Sequence, residues 1–153
     1  ENLERLSGSV LSSSPVETKS GTWPSQLAYS EPIQYSTPNN VPTLGSPIVL
    51  EGEASYYSRA GCLGCSASRT MANGQSLNDG ALTMAIGANL KHLVGYRAKV
   101  TNLNTSLSVD VLITDTGGFY KEKYGSRVAD LTIASKQAIG MYGGVGQVRV
   151  EVY

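Results

Sequence analysis

The sequence predicts a mainly β fold: a compact barrel with one or two short helices, preceded by an extended N-terminal arm. The barrel is indicated by short runs of alternating apolar and polar residues, separated by glycine- and asparagine-containing turns, from residue 48 onward. The arm is indicated by composition, because all six prolines and ten serines fall within the first fifty residues. We therefore predict an arm over residues 1–49 and a barrel domain over residues 50–153.

The arm is expected to lack a hydrophobic core, since segments rich in serine and proline bury little apolar surface. It nevertheless carries Trp23, Tyr29 and Tyr35, and large aromatic side chains are unusual in a solvated linker. We expect either the barrel or a neighbouring subunit of an assembly to hold the arm. Because the first residue is Glu1, we also expect the chain to begin after a processing site or inside a longer protein.

Charge and composition argue against several classes of function. Twelve basic and twelve acidic residues balance, so nothing in the charge indicates binding to nucleic acid or to an anionic membrane surface. No apolar run approaches the roughly 18 residues that span a bilayer. A structural zinc site needs about four ligands, whereas the chain offers two cysteines and one histidine, His92. We expect no metal, no organic cofactor and a surface position for His92.

Local periodicity predicts the individual elements. Residues 48–57 form a candidate first strand, residues 96–103 and 107–114 a hairpin, and residues 148–152 a half-buried final strand. Residues 130–140 indicate a short helix, with Thr132 as N-cap and Gly140 as the C-terminal stop. Asp130 comes just before the helix, where negative charge is favoured. A role in anchoring the helix therefore competes with a catalytic role for Asp130.

Cys62 and Cys65 have two interpretations. A redox-active pair usually opens a helix in a thioredoxin-like βαβ unit, and that context is missing. The pair then forms either a loop disulfide in an oxidising compartment or two reduced thiols in a cytosolic one. We favour the disulfide. Tyr56 and Tyr57, just upstream, suit a sugar-binding surface, although aromatic residues in strands are more often packing partners.

Residues 109–119 are the stretch most suggestive of a reaction centre. Strict alternation places Val111 and Ile113 on the same face as Asp115, so the carboxylate is expected to leave on the core face. A carboxylate partly withdrawn from water suits general acid catalysis. Gly117 and Gly118 then supply a turn and leave room for a substrate. On spacing alone, the commoner role of such an aspartate is to cap its own turn.

Several sequence blocks occur together, in a fixed order, over about a hundred residues. These blocks are Gly52-Glu53-Ala54-Ser55-Tyr56-Tyr57, Met71-Ala72-Asn73-Gly74, Ala81-Leu82-Thr83, Val100-Thr101-Asn102-Leu103, Thr114-Asp115-Thr116-Gly117-Gly118-Phe119, Ala129-Asp130-Leu131-Thr132 and Ala138-Ile139-Gly140. In this order and spacing the sequence resembles the rare lipoprotein A domain from about Leu50 to Tyr153, and the resemblance does not extend to the arm.

The resemblance implies a six-stranded double-psi β-barrel, a fold shared with expansins and some lytic transglycosylases. It implies peptidoglycan as substrate and cleavage of the bond between N-acetylmuramic acid and N-acetylglucosamine, giving 1,6-anhydro products. Asp115 falls on the family's catalytic aspartate. The implied location is the periplasm or cell envelope, secreted with or without a lipid anchor, and no cofactor is implied.

The sequence departs from the family at three places. The residue after Ala72-Asn73-Gly74 is usually glutamate, and here it is Gln75, which can hydrogen-bond a sugar but cannot act as an acid. The family's aspartate three residues further on is Asn78, although Asp79 is adjacent. The motif Asp-Arg-Gly-Pro-Phe has become residues 115–119 with Thr116 in place of arginine. These changes weaken a two-carboxylate mechanism.

Three hypotheses follow from the resemblance and its departures. In the first, the protein is a lytic transglycosylase with Asp115 as acid and base, assisted by Asp79 or Asp130. Its candidate substrate-binding residues are Asn73, Gln75, Tyr57, Gly117, Phe119 and Tyr120. In the second, the barrel is a non-catalytic, expansin-like glycan-binding module whose groove is lined by Tyr56, Tyr57, Tyr120 and Tyr124. In the third, it is a structural component of an envelope complex or a phage virion tail, clamped to a neighbour by the arm.

Overall fold

The computed structural model describes residues 41–62, 65–119 and 125–153. Within these ranges lie six strands, one 3-10 helix and one α-helix. The strands are β1 (Ile48–Tyr56), β2 (Thr83–Gly87), β3 (Arg97–Asn102), β4 (Ser108–Gly117), β5 (Arg127–Leu131) and β6 (Gly146–Val152). The 3-10 helix is Ala88–Leu93 and the α-helix is Ile133–Ala138. Most of the predicted arm lies outside the described residues, so its role as a subunit clamp stays a prediction.

The six described strands close into a barrel in the order β1-β5-β2-β4-β3-β6. Two of the strand pairs are parallel, β1 with β5 and β2 with β4. The other four pairs are antiparallel. Closure pairs both edges of each strand, which removes the exposed sheet edges of an open β structure. The expectation of a mainly β, six-stranded barrel with short helices is confirmed.

Alternation correctly predicts which side chains fill the barrel. In β6, Val148, Val150 and Val152 are fully buried, and the residues between them are half-buried or exposed. The predicted hairpin forms from β3 and β4, with Val100 paired to Val109 across it. The main core unites apolar residues from every strand: Ala54, Met84, Ile86, Leu93, Ala98, Val100, Val111, Ile113, Ala129, Leu131, Ile139, Met141, Val148, Val150 and Val152.

The α-helix begins at its predicted cap. The Thr132 side chain accepts a hydrogen bond from the Ser135 amide, as an N-cap does. After the helix, Gly140 adopts a positive φ of 65°, a conformation that favours glycine at a helix end. Asp130 and Leu131 belong to β5, because they pair with β1. The predicted cap is therefore correct, but the helix begins at Ile133 and not at Asp130.

A second apolar cluster packs beside the main core. It contains Tyr57, Met71, Leu77 and Ala85, with Cys62 and Cys65 packed against it. Tyr57, Met71 and Leu77 belong to the segment that connects β1 to β2, so the cluster packs this segment against Ala85 of β2. His92 is exposed in the 3-10 helix, in line with its predicted surface position. Among the described residues, no helix is both long and apolar enough to cross a membrane.

Candidate functional site

A groove of about 810 Å³ opens where β1 and β4 end. Its floor is a row of side chains that crosses four adjacent strands. Ser55 in β1 pairs with Asp130 in β5. Asp130 also pairs with Ala85 in β2, on the other edge of β5. Ala85 in turn pairs with Asp115 in β4. We call these four residues the Ser55–Asp115 row, and all four line the groove.

Two irregularities in the strand pairing determine which residues form this row. In the parallel pair β1 and β5, the register shifts so that Val128 has no partner. In the parallel pair β2 and β4, a similar shift leaves Thr114 without a partner. Each extra residue acts as a β-bulge, which twists a strand and redirects the side chains that follow it. The bulges therefore decide which side chains face the groove.

The expected position of Asp115 on the core face is wrong. Ile113 and the bulged Thr114 are both buried, whereas Asp115 is half-buried and lines the groove. The physical reason is the bulge, because one extra residue interrupts the two-residue period on which the expectation depended. The Thr114 hydroxyl instead turns toward the second cluster, 3.2 Å from the sulfur of Met71.

Two backbone amides hold the Asp115 carboxylate. The N–H groups of Ala72 and Thr116 each donate to Asp115 Oδ1 at 2.9 Å. The Thr116 bond is the local turn cap that spacing alone suggests. The Ala72 bond is different in kind, since it joins residues far apart in the chain. Among the described residues, no donor bonds to the second oxygen, Oδ2.

The loop 71–75 brings Ala72 to Asp115 by docking on the end of β4. The Asn73 amide donates to the Thr114 carbonyl at 3.0 Å. The Asn73 side-chain amide donates to Gln75 Oε1, and the Gln75 backbone amide donates to Asn73 Oδ1, both at 3.0 Å. The two predicted sugar-binding residues, Asn73 and Gln75, are therefore exposed and bonded to each other beside Asp115. Neither is among the residues that line the groove.

Asp130 is the second carboxylate in the groove. Its Oδ1 accepts a hydrogen bond from the Ser55 hydroxyl at 2.8 Å. Burial raises the pKa of the Asp130 carboxyl, and the nearby negative charge of Asp115 acts in the same direction. The Ser55 hydroxyl and the Arg127 guanidinium oppose this rise. Asp130 thus lies near the end of β5 and in the groove, where its side chain is bonded to Ser55 of β1.

The structure does not bring Asp79, the other candidate carboxylate, into the groove lining. Its Oδ1 accepts the backbone N–H of Arg59 at 2.9 Å, and its carbonyl accepts the amide of Ala134 at 2.9 Å. These bonds tie the loop before β2 to the segment after β1 and to the α-helix. Asp79 therefore has a structural position, and in the part of the chain that the structure describes the groove carboxylates are Asp115 and Asp130.

The aromatic candidates occupy different positions. Tyr57 is only 4% exposed and packs in the second cluster, although part of it reaches the groove. Tyr56 is 42% exposed and also lines the groove, with the Lys136 ammonium 4.2 Å from its ring centroid. Packing, the commoner role for strand tyrosines, thus describes Tyr57. Tyr120 and Tyr124 lie outside the described residues.

Phe119 and Gly117 form one wall of the groove. A Cβ atom added to Gly117 would lie 2.5–3.1 Å from three atoms of the Phe119 ring. Phe119 itself has a positive φ of 36°, so the chain turns back and lays the ring on the Gly117 backbone. Gly117 is therefore required by this close approach of its neighbour. The ring presents an apolar surface beside the carboxylates.

Cys62 and Cys65 also line the groove. Their Cα atoms are 5.6 Å apart, a normal separation for a disulfide, and the structure joins the two sulfur atoms. Among the described residues, no group of three or more histidine, cysteine or acidic side chains has the arrangement of a metal site. Sequence reasoning missed Ser55, Ala85 and Arg127 as groove residues, and no local pattern distinguishes them.

The chain is similar in sequence to two named proteins. The chain is 41% identical over 85 residues, 55% of its length, to the "Probable endolytic peptidoglycan transglycosylase RlpA" of Synechocystis sp.. It is 37% identical over 104 residues, 67% of its length, to the protein of the same name from Nostoc sp.. The matched regions cover 24% and 25% of those relatives, so the chain corresponds to about a quarter of their length. No model of a known protein family matches the chain.

Two solved structures superpose on the chain. One is the Streptomyces papain inhibitor, with a TM-score of 0.49 and 16% identity over 74% of this chain and 100% of that one. The other is an expansin from Clavibacter michiganensis, with a TM-score of 0.48 and 20% identity over 69% of this chain and 50% of that one. At TM-scores below 0.5 these superpositions carry no weight for function. The sequence relatives and the closed six-stranded topology together identify the chain as an RlpA-like double-psi β-barrel.

Proposed function

We propose that this protein acts on peptidoglycan in the cell envelope as a lytic transglycosylase, with Asp115 as acid and base. The observation that carries the proposal is the position of the Asp115 carboxylate, which lines the groove with one oxygen held by two backbone amides. The names of the two RlpA relatives support the substrate class. The resemblance of residues 114–119 to the family motif supports the role of Asp115.

The proposed reaction needs one group that gives and then takes a proton. Protonated Asp115 gives its proton to the oxygen that joins muramic acid to glucosamine, and the bond from muramoyl C1 to that oxygen breaks. The muramoyl 6-hydroxyl then attacks C1, and its proton returns to Asp115. The product is a 1,6-anhydro sugar, and no water is consumed. Because the substrate supplies the nucleophile, one acid and base residue suffices, which accommodates Gln75.

Asp130 is proposed to assist Asp115 from across Ala85. Its carboxylate lies on the same groove floor, and strand spacing puts the two aspartate Cα atoms roughly 9–10 Å apart. A second negative charge at this distance stabilises the positive charge that develops on the sugar ring in the transition state. Tyr57, Gly117 and Phe119 supply the surface against which the sugar lies, while the exposed amides of Asn73 and Gln75 hydrogen-bond its hydroxyl groups.

The test is mass spectrometry of the soluble products released from glycan strands stripped of stem peptides. We expect 1,6-anhydro-muramic products from the wild type and none from Asp115→Asn, which keeps the shape of the side chain. The matched control is Asp110→Asn, because Asp110 lies in the same strand and bonds Tyr153 away from the groove. Products from Asp115→Asn at the wild-type rate would overturn the assignment.

A glycan-binding module without catalysis is the second candidate. The observation that favours it is the amide pair Asn73 and Gln75, which stands beside Asp115 where the family carries a carboxylate. Co-sedimentation with purified peptidoglycan separates the two functions. Retention on the wall without any soluble product over long incubation would favour the binding module, and absence of retention would exclude it.

A further inference from the structure

Ser55 has no part in the reaction just described, although it is buried and lies in the groove. Its hydroxyl donates to Asp130 Oδ1 at 2.8 Å. The two residues are direct partners in the parallel pair of β1 and β5, at the second position after the register shift at Val128. Without that bulge, the side chain that faces Ser55 across the pair would be a different one.

We propose that Ser55 is a positioning residue that holds the Asp130 carboxylate on the groove floor, directed toward Asp115 across Ala85. The consequence for catalysis rests on the proposed function, whereas the effect on Asp130 itself does not. The Ser55–Asp115 row then consists of a hydroxyl, a carboxylate, a methyl group and a second carboxylate, each on the strand next to the previous one.

The geometry supports this role because an aspartate side chain has two rotatable bonds, and a hydrogen bond to one oxygen restricts both. For Asp115, backbone amides provide this restraint. For Asp130, the restraint comes from the Ser55 side chain. Ser55 is itself immobilised, since it lies within β1 and is 9% exposed. A buried donor on a rigid strand fixes a functional group more tightly than a donor on a loop.

In the described part of the chain, the groups near Asp130 come from three other strands and from its own. Ser55 faces it from β1, Ala85 from β2 and Asp115 from β4, and Arg127 is on its own strand. Arg127 is also engaged in an ion pair with Glu53 of β1. Because the Ser55 hydroxyl opposes the rise in the pKa of Asp130, its removal is expected to raise that pKa further.

The test compares Ser55→Ala, Ser55→Thr and the wild type in two measurements. The first is an NMR titration of labelled aspartate carboxyl carbons, which reports Asp130 without any need for activity. The second is the pH profile of glycan cleavage. Ser108→Ala is the matched control, because Ser108 is also a strand serine whose hydroxyl bonds a side chain, that of Thr101, at the far end of β4.

We expect Ser55→Ala to move the Asp130 titration upward and to lower kcat by about tenfold or more, with KM little changed. Ser55→Thr, which retains a hydroxyl, restores the Asp130 titration, and Ser108→Ala changes neither measurement. An Asp130 titration in Ser55→Ala that matches the wild type would overturn the proposal, as would an unchanged kcat in an active protein. If the wild type cleaves no glycan, the proposed function fails, and the NMR titration still decides the role of Ser55.

Discussion

Asp115 and Asp130 lie on opposite sides of the same residue, Ala85, and each is its direct partner across a pair of strands. They belong to β4 and β5, two strands that are not paired with each other and that β2 separates in the barrel. The small side chain of Ala85 leaves open the space between the two carboxylates. The shape of the groove therefore depends on the small size of Ala85 as well as on the two aspartates.

Enlarging Ala85 should close this space. Ala85 is 3% exposed and packs against Tyr57, Met71 and Leu77, so Ala85→Val overpacks the second cluster at a cost of about 1–3 kcal/mol in the free energy of unfolding. We expect glycan cleavage or binding to fall by about tenfold or more. Urea denaturation and the product assay measure the two effects.

The control for Ala85→Val is Ala98→Val, an equal enlargement of a fully buried alanine in β3, away from the groove. It should cost similar stability and leave the groove functional. If both variants lose glycan cleavage equally, the loss comes from general destabilisation and not from the space between the carboxylates.

The stability of the protein should depend on pH through Asp130. Its pKa is raised from 3.8 by burial, so between 3.8 and the raised value the folded state binds more protons than the unfolded state. Stability therefore falls as the pH rises through this window. Asp130→Asn should be more stable than the wild type near neutral pH, and the difference should shrink as the pH falls toward 3.8.

Urea denaturation of the wild type and Asp130→Asn across this pH range measures the effect. Glu51→Gln serves as the control, because the Glu51 side chain is 55% exposed and its ion pair with Arg149 lies at the surface, where such pairs contribute little. A stability difference between Asp130→Asn and the wild type that does not change with pH would contradict the prediction.

A methyl group at Gly117 should displace Phe119. The added Cβ atom would lie within 2.5–3.1 Å of the ring, so in Gly117→Ala the ring must move off the groove wall. Phe119 is the chain's one phenylalanine, and a sample with isotopically labelled phenylalanine therefore shows a single ring by NMR. We expect large shifts of these resonances in Gly117→Ala. Gly144→Ala should leave them in place, since nothing lies within 4 Å of its added Cβ atom.

Cys62 and Cys65 should resist thiol-specific reagents until a reductant is added. The intact mass without reductant should lack two thiol hydrogens. Opening a loop this short should lower the free energy of unfolding by about 2 kcal/mol, and it should loosen the groove wall that these residues form. Complete labelling of both thiols in unreduced protein would show that the pair is not bonded. The double variant Cys62→Ser with Cys65→Ser reproduces the reduced state without reductant.

The sequence by itself determined the class of fold and most of the elements. The alternation of apolar and polar residues throughout β6, and in β4 as far as the bulge, predicts which residues are buried, because a strand with one face in the core must repeat every two residues. The cap of the α-helix was equally readable, since the Thr132 side chain bonds an amide only three residues away. Local patterns of this kind reveal structure because the interactions that cause them are themselves local.

Only the tertiary structure decided the composition of the groove. The bulges at Thr114 and Val128 have no sequence signal, and they redirected Asp115 out of the core and placed Ser55 opposite Asp130. The position of Asp79 was also decided by the tertiary structure. The sequence suggested that Asp79 assists Asp115, whereas in the fold its carboxylate accepts a hydrogen bond from the Arg59 amide. Strand order in a closed barrel depends on pairings between distant segments, so the row from Ser55 to Asp115 exists only after closure brings four separate stretches of chain together.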